Sequence, residues 1–551
     1  MNPLAGSVGF LCVFLWGAAG WARDITMNPG DNIRDVMRTA APGDRVLMRA
    51  GTYPGGGFIG ARGTASAPIT VLSVDGPRRA VLQGGTETLR IGDGASYLIF
   101  DGLEVRNSGD NTIHIDSGAH HIWLRNLYAH DAGFNGDVLK ANQAASIFVE
   151  GGEYARGGRR PGSDNPYQEC IDFVDINEGA VRDAYIHDNG SSLMYAKGAS
   201  RNIIFERNVI ADQRAGASEP MAGLGGATDR ELLRGMQFEV FNIIFRNNIV
   251  IGGNQGALGV YDGQGVYIAN NLFVNNDRVL IEFRAGEAPA ARSENVRVVN
   301  NIFLDTRGRM PEPYRRSSHG LMNFTTSHNL FWNNGAAIPG SSVVSLTAQP
   351  GHLVMDPGVP ALSGDRAAVL AAGRPRSMAA AGSGMDASGA PFFVTDDVLR
   401  APRGGRLDRG PFTLGGTVPP TDGGGPDVIV PDVPVSDTGV RDTGTPPRDT
   451  GTAPRDTGTA QDTAPPQDSG ADTSVPTDSM PTTDTDDGGL PTTDAPDDGS
   501  DSGLFEDPVG STAPGCGCRV PGGRTPGGLG VALGALAAFG GRRRPRRRAG
   551  V

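Results

Sequence analysis

The segment IIFRNNI at residues 243–249 decides the fold class of this 551-residue chain. β-Branched and aromatic residues are followed by a polar residue, asparagine and an apolar residue, which is typical of a short strand that ends in a turn. Further copies are IIFERNV at 203–209, VYIANNL at 266–272, VRVVNNI at 296–302 and, in weaker form, HIWLRNL at 121–127 and YLIFDGL at 97–103. One short unit therefore repeats along the chain.

The spacing of these units indicates a solenoid. Counted on the column that holds the asparagines, the shortest steps are 23 and 24 residues, and insertions lengthen others to as many as 40. A step of this size is one coil of two or three short strands. Coils stack about 4.8 Å apart, so asparagines at one corner can bond one another as a ladder. The predicted ladder comprises Asn126, Asn208, Asn248, Asn271, Asn301 and Asn329.

Other repeat folds fit this spacing less well. A propeller needs about 40–50 residues for each blade, and the spacing of leucine-rich repeats is missing. We therefore predict an all-β, single-stranded right-handed parallel β-helix over residues 23–414. The amphipathic stretch Asp31–Ala41 is expected to form an N-terminal capping helix, and Asp356–Phe412 is expected to close the other end.

The rest of the chain predicts export. Residues 1–22 combine the apolar run Val8–Gly20 with a small-x-small cleavage site, as in a signal peptide. Residues 415–514 are rich in Asp, Thr, Pro and Gly, which indicates a disordered linker that acts as a stalk. The net charge of −12 leaves no basic face for phosphates, so no nucleic-acid partner is expected.

The C-terminal residues 515–551 carry three features in order. Cys516 and Cys518 flank a glycine, an apolar span follows at 527–541, and six arginines lie within 542–548. This order resembles the MYXO-CTERM sorting signal. The resemblance implies a short transmembrane segment, cleavage near the cysteine pair by a sorting protease, and a location at the cell surface or outer envelope, anchored or released after processing.

A second resemblance concerns the N-terminal part. The segments APGDRVLMRAGTY at 41–53 and APITV at 67–71 are similar to the opening of pectate-lyase-like β-helix proteins, in particular polysaccharide lyase families six and nine. The likeness extends over about residues 24–412. It implies a pectin-lyase-like solenoid that binds an acidic polysaccharide and cleaves it by β-elimination.

Lysine is rare in this chain, which makes its two lysines candidates for chemistry. Of 49 basic residues, the lysines are Lys140 and Lys197. A lysine can lose its proton and act as a general base, whereas arginine keeps its charge. Elimination from a uronide needs a base for the proton α to the carboxylate and a cation near the developing charge.

Spacing places several polar residues on one outward face. His114, Lys140 and Asp172 each lie seven residues before the repeat unit of their own coil, with apolar residues on both sides, so we predict one exposed column. The next coil adds Tyr195 and Lys197. The candidate catalytic residues are Lys140, Lys197, Asp172 and His114, and the candidate substrate-binding residues are Arg201, Arg207, Tyr195 and Glu169.

The likeness to family nine also implies a calcium site, with ligands among Asp137, Asp172 and Asp175 and with Lys140 as the base. Other interpretations remain open. Asp172 with Asp175 or Glu169 can serve a glycoside hydrolase, which needs two carboxyl groups. The column can equally be a solvated face with a cross-coil ion pair, on a non-catalytic carbohydrate-binding or adhesive surface protein.

Overall fold

The computed structural model describes residues 22–414, except 117, 159–167, 216, 218, 378–379, 381–393 and 404–407. The predicted signal peptide, stalk and sorting tail, with Cys516, Cys518 and the span 527–541, lie outside the described residues and stay predictions. Within the part that the structure describes, no helix has both the length and the apolar character needed to cross a membrane.

The described residues form a parallel β-solenoid whose coils each contribute up to three strands, stacked in three rows. The first row contains Gly57–Ile59, Leu89–Ile91, Ile113–Ile115, Met194–Lys197, Ala222–Leu224, Leu258–Tyr261, Val279–Arg284 and Glu312–Arg316. The second row contains Asp24–Met27, Arg45–Met48, Ile69–Ser73, Ser96–Asp101, His120–Arg125, Ser200–Glu206, Val240–Arg246, Gly263–Ala269, Arg292–Val299, Gly320–Met322 and Thr325–Ser327. Two long strands, Leu139–Glu150 and Ile171–Arg182, run through both rows and join them into one 21-stranded sheet.

The third row is a separate sheet of 12 strands. Its members are Gly51–Pro54, Ala80–Gln83, Glu104–Arg106, Tyr128–His130, Glu153–Ala155, Tyr185–His187, Val209–Ile210, Ile249–Ile251, Leu272–Val274, Ile302–Leu304, Leu330–Trp332 and Leu353–Val354. The helical elements are Ile33–Met37 and Arg366–Ala372, with 3₁₀ turns at Arg230–Leu233 and Leu346–Ala348. Helix Ile33–Met37 lies within the predicted capping segment, and its role as a cap stays a prediction.

The core lies inside the coils, because strand alternation sends every second side chain inward. A column of phenylalanines shows the stacking, with neighbouring ring centroids 4.9–6.5 Å apart. Its members are Phe205, Phe245, Phe273, Phe303 and Phe331, all buried. Each such ring contributes about 1.5–3 kcal/mol through burial. The predicted parallel β-solenoid is confirmed.

The asparagine ladder is present from Asn208 to Asn329. In each step the side-chain Nδ2 donates to Oδ1 of the asparagine in the next coil, at 3.0–3.1 Å. Asn126 does not belong to the ladder, so its predicted place was wrong. The register pairs Arg125 with Glu150, which puts Asn126 one position earlier, where its backbone is left-handed (φ 50°) and its side chain is exposed.

Candidate active site

The first row carries the polar column that spacing predicts. The register places His114 beside Lys140, Lys140 beside Asp172, and Asp172 beside Tyr195. The residues on both sides of each position point into the core, so these four side chains point outward. Lys197 follows two residues after Tyr195 on the same strand and therefore shares this face. The predicted alignment of the column is confirmed, but its predicted exposure was wrong: Asp172, Tyr195 and Lys197 are buried, and His114 and Lys140 are half-buried.

Three carboxyl groups meet beside this column. Asp137 and Glu169 come from the turns that lead into the two long strands, and Asp172 is the second residue of the later strand. Carboxylate oxygens of the three residues all lie within 4.8 Å of one another. The backbone N–H of Glu169 donates to Asp137 Oδ1 at 2.9 Å, which ties the two turns together. All three residues are buried.

Both lysines of the chain contact this carboxyl group cluster. Lys140 Nζ forms ion pairs with Asp172 Oδ2 and, at 3.2 Å, with Asp137 Oδ2. Lys197 Nζ lies 3.7 Å from the same Asp172 oxygen and donates to the Tyr195 hydroxyl at 2.5 Å. The Lys140 side chain is 15% exposed and that of Lys197 is 3% exposed. Lys140 therefore faces solvent, whereas Lys197 is buried.

Glu169 has a raised pKa. Burial, followed by the nearby charge of Asp137, raises the pKa of Glu169 well above its usual range, although Lys197 acts in the opposite direction. The carboxyl group of Glu169 also accepts a hydrogen bond from Ser191 Oγ at 3.2 Å. The raised pKa favours the protonated form of Glu169, which is the form that can deliver a proton to a leaving oxygen.

The three carboxyl groups also match the ligand preference of Ca²⁺, which takes carboxylate oxygens. Asp172 Oδ1 is buried and has no hydrogen-bond partner among the described residues, so one oxygen remains to be satisfied. Glu169, predicted to contact substrate, takes the third position in this set. The residues fit a divalent cation, and the ammonium group of Lys140 would compete with it for Asp137 and Asp172.

Asp175 does not join the group, which corrects the predicted ligand set. It lies at a left-handed turn position (φ 53°) between the first and second rows, and the carboxylate pairs with Arg234 at 2.7 Å. Arg201 lies at the start of the second row, where its Nε donates to Asn177 at 3.1 Å. The turn at Asp175 moves both side chains off the first-row column.

Arg207 also lies away from the cluster. It follows strand Ser200–Glu206 at the corner between the second and third rows, where it pairs with Asp183 at 3.1 Å and Asp396 at 2.9 Å. These ion pairs fasten the closing segment to the coils. The proposed contact of Arg207 with substrate is therefore corrected, because its guanidinium group is engaged a full strand away from the first row.

His114 stands in the column but is engaged by its own coil neighbours. One ring nitrogen bonds Glu87, and the other lies 2.7 Å from Asn142 Oδ1. Burial lowers the pKa of His114, but the hydrogen bond and charge of Glu87 outweigh it, so the net shift is upward. Glu87 therefore favours the charged form of His114, which lies beside Lys140 in the column.

Sequence reasoning missed a second cluster further along the first row. Tyr261 donates to Glu219 Oε2 at 2.7 Å, and Arg284 Nη1 lies 3.1 Å from the Tyr261 hydroxyl and 3.3 Å from Glu219. Tyr261 and Arg284 continue the line of Lys197, because Tyr261 pairs with Arg284 in the register. The spacing of seven residues does not find them, because Tyr261 lies five residues and Arg284 twelve residues before the repeat unit of its coil, and Glu219 comes from an insertion.

Comparison with known proteins settles the handedness of the solenoid. A family model described as "Right handed beta helix region" matches residues 232–347. The fold is a right-handed parallel β-helix. No curated protein matches the chain.

Comparison with solved structures finds several chains that are similar to this one. The pectate lyase Pel9A is 14% identical, with 71% of this chain and 96% of that chain covered and a TM-score of 0.44. An alginate lyase from Paenibacillus sp. str. FPU-7 is 16% identical, with 56% and 99% covered and a TM-score of 0.32. A PL6 family polysaccharide lyase from Pseudopedobacter saltans is 14% identical, with 64% and 96% covered and a TM-score of 0.35.

Proposed function

We propose that this β-helix cleaves an acidic polysaccharide by β-elimination. The observation that carries the proposal is the convergence of both lysines of the chain on Asp172, beside the buried carboxyl group of Glu169, whose pKa is raised. Elimination from a uronide needs a base, a cation for the substrate carboxylate and a proton for the leaving oxygen. The two lysines and Glu169 are the candidates for these three roles.

The contacts divide these roles between the lysines. Lys197, the more buried of the two lysines, is assigned as the base: once it has given up its own proton, it takes the proton α to the carboxylate. The electron pair of that C–H bond forms the new C=C bond as the glycosidic C–O bond breaks, and Glu169 protonates the departing oxygen. Lys140, held as an ammonium ion by two aspartates and partly exposed, offers its charge to the substrate carboxylate.

Conservative substitutions of the two lysines test this division. Polygalacturonate and alginate are incubated with the full-length protein, and unsaturated products are followed by ultraviolet absorbance. Lys197→Arg is expected to abolish product formation, because arginine cannot give up its proton at working pH. Lys140→Arg keeps the cation and is expected to retain part of the rate. Equal loss in both variants, or equal retention, contradicts the assignment.

A specific observation favours glycoside hydrolysis as the second candidate. Carboxyl groups about 5–5.5 Å apart are used by retaining glycosidases, one as acid and one as nucleophile. The oxygens of Glu169 and Asp172 lie within 4.8 Å, and the raised pKa of Glu169 suits the acid. New reducing ends without ultraviolet absorbance would identify this reaction. Glycan retention without any product would instead identify a carbohydrate-binding surface protein.

A calcium ion is a further part of the proposal: Asp137 and Asp172 would hold it, and Glu169 would be a third ligand when its carboxyl group has lost its proton. Bound there, the ion would supply positive charge next to the substrate carboxylate. Calorimetric titration of the protein with CaCl₂ tests this without any activity measurement. Asp172→Asn is expected to abolish the heat of binding, while Asp175→Asn, which lies outside the group, leaves it unchanged. Equal binding by both variants removes calcium from the site.

The location of the protein is also a proposal, supported by sequence features alone. Residues 1–22 would direct export, residues 415–514 would act as a stalk, and residues 515–551 would engage a sorting protease and the membrane. Deletion of residues 515–551 is expected to move the protein from the cell envelope to the medium, as measured by immunoblotting of the two fractions. Unchanged partition after the deletion contradicts the proposed tail.

A further inference from the structure

We propose that Arg284 and Tyr261 form a second subsite, which binds the carboxylate of another sugar unit of the same polysaccharide chain and which Glu219 fills in its absence. The inference rests on the proposed function in that it takes the substrate to be a polyuronide. It adds the direction of the bound chain, which runs along the solenoid axis, and an internal competitor of the substrate.

The strand register indicates the direction of the bound polysaccharide chain. Ala196 pairs with Leu224, and Leu224 pairs with Val260, so the following residues Lys197, Gly225 and Tyr261 stand in one line. Tyr261 pairs with Arg284 in the next coil. Arg284 is therefore three coils from Lys197, or about 14 Å at the usual strand spacing.

One coil lies between the two clusters, and its residue in the neighbouring column is a glycine. Gly223 pairs with Tyr195, and Gly259 pairs with Gly223. A Cβ atom added at Gly259 would lie 2.3 Å from Tyr261 Cε2, so the tyrosine ring lies directly across the backbone of its own coil. Backbone and a flat ring thus separate the two charged clusters, which suits a sugar chain laid along them.

Glu219 shows how this subsite holds a carboxylate. Its Oε2 atom accepts from the Tyr261 hydroxyl at 2.7 Å and from Arg284 Nη1 at 3.3 Å, and the Arg284 guanidinium lies 5.2 Å from the Tyr261 ring centroid. The side chains of Arg284 and Glu219 are 30% and 40% exposed. An ion pair this exposed is weak because solvent screens it, so an incoming carboxylate can displace Glu219 at little cost.

Two substitutions should therefore change binding in opposite directions. Hexamers of galacturonate, mannuronate and guluronate are titrated calorimetrically into the full-length protein carrying Lys197→Met, which prevents turnover. Arg284→Gln is expected to weaken the tightest hexamer roughly tenfold, which is the loss of one charge-assisted hydrogen bond. Glu219→Gln is expected to tighten it by about threefold, because the competing carboxylate is gone.

Controls separate this subsite from general charge effects. Arg297→Gln removes the same charge from the second row, on another face, and is expected to leave binding unchanged. The matching uronate dimer, too short to span three coils, is expected not to respond to Arg284→Gln. The inference is overturned if Arg284→Gln and Glu219→Gln shift the hexamer affinity in the same direction, if neither shifts it, or if no hexamer binds.

The two proposals fail in distinguishable ways. Opposite shifts in hexamer affinity without any ultraviolet-absorbing product from the protein with Lys197 intact would support the subsite and refute the lyase. Ultraviolet-absorbing products with hexamer affinities that ignore both substitutions would support the lyase and refute the subsite.

Discussion

Removal of the Asp172 carboxylate should destabilise the solenoid strongly, because this fully buried group neutralises two ammonium ions. In Asp172→Asn, Lys197 keeps its position with 3% exposure but loses the carboxylate 3.7 Å away. Breaking a buried ion pair by removal of one partner costs about 3–5 kcal/mol. Lys140 retains Asp137 at 3.2 Å and is partly solvated, so most of the cost falls on Lys197.

A double-mutant cycle isolates this cost. Removal of both charges, in Asp172→Asn with Lys197→Met, is expected to recover most of the lost stability, because buried pairs can be replaced by neutral groups with little net change. Unfolding is followed by far-ultraviolet circular dichroism against urea for the wild type, both single variants and the double variant. Additive losses, or a loss below about 1 kcal/mol in Asp172→Asn, would refute the account of a buried charge cluster.

Three further predictions concern other parts of the molecule. Burial raises the pKa of Glu239 to about 7, so its contribution to stability is present below pH ~4.5 and lost as the pH rises toward 7. Glu239→Gln should therefore flatten the curve of thermal midpoint against pH over this window, where the wild type loses about 3 kcal/mol of unfolding free energy in total. Asn248→Ala should cost about 1–3 kcal/mol by leaving ladder groups unsatisfied, while Asn126→Gly stays within about 0.5 kcal/mol in urea unfolding. Because the raised pKa of Glu169 opposes the ionised ligand, Ca²⁺ affinity should keep rising with pH above the usual titration range of a glutamate, and Glu169→Gln should remove that rise in calorimetry; a steep pH response in either Gln variant, or equal losses in the two Asn variants, would contradict these expectations.

The fold and the polar column could be predicted because both depend on local periodicity. Strand alternation fixes which residues face outward, and the count of seven residues holds for Lys140 and Asp172, whereas in the coil of His114 the residue that pairs with Ile147 is Ile122, eight residues on. The same count failed by one position at Asn126. There the corner is made by Gly151 and Gly152, which both adopt left-handed backbone conformations, and spacing alone cannot tell which of them faces Asn126.

The rest of the site depends on how turns and insertions fold, which periodicity does not encode. Glu169 precedes the strand that begins at Ile171 and reaches the cluster, whereas Asp175 lies at a left-handed turn within that strand and does not. Glu219 contacts Tyr261 from an insertion that has no counterpart in neighbouring coils. Arg207 was assigned to substrate because its charge was visible in the sequence, whereas its partner Asp396 lies 189 residues away.

The nuclear magnetic resonance spectrum of the products tests the proposed reaction most directly. The full-length protein is incubated with polygalacturonate and with alginate, and the products are examined for an olefinic proton at the new non-reducing end. We predict this signal for at least one polymer with the wild type and with Lys140→Arg, and its absence with Lys197→Arg. Saturated products alone, or intact polymer in every case, would contradict a lysine-dependent elimination on this face.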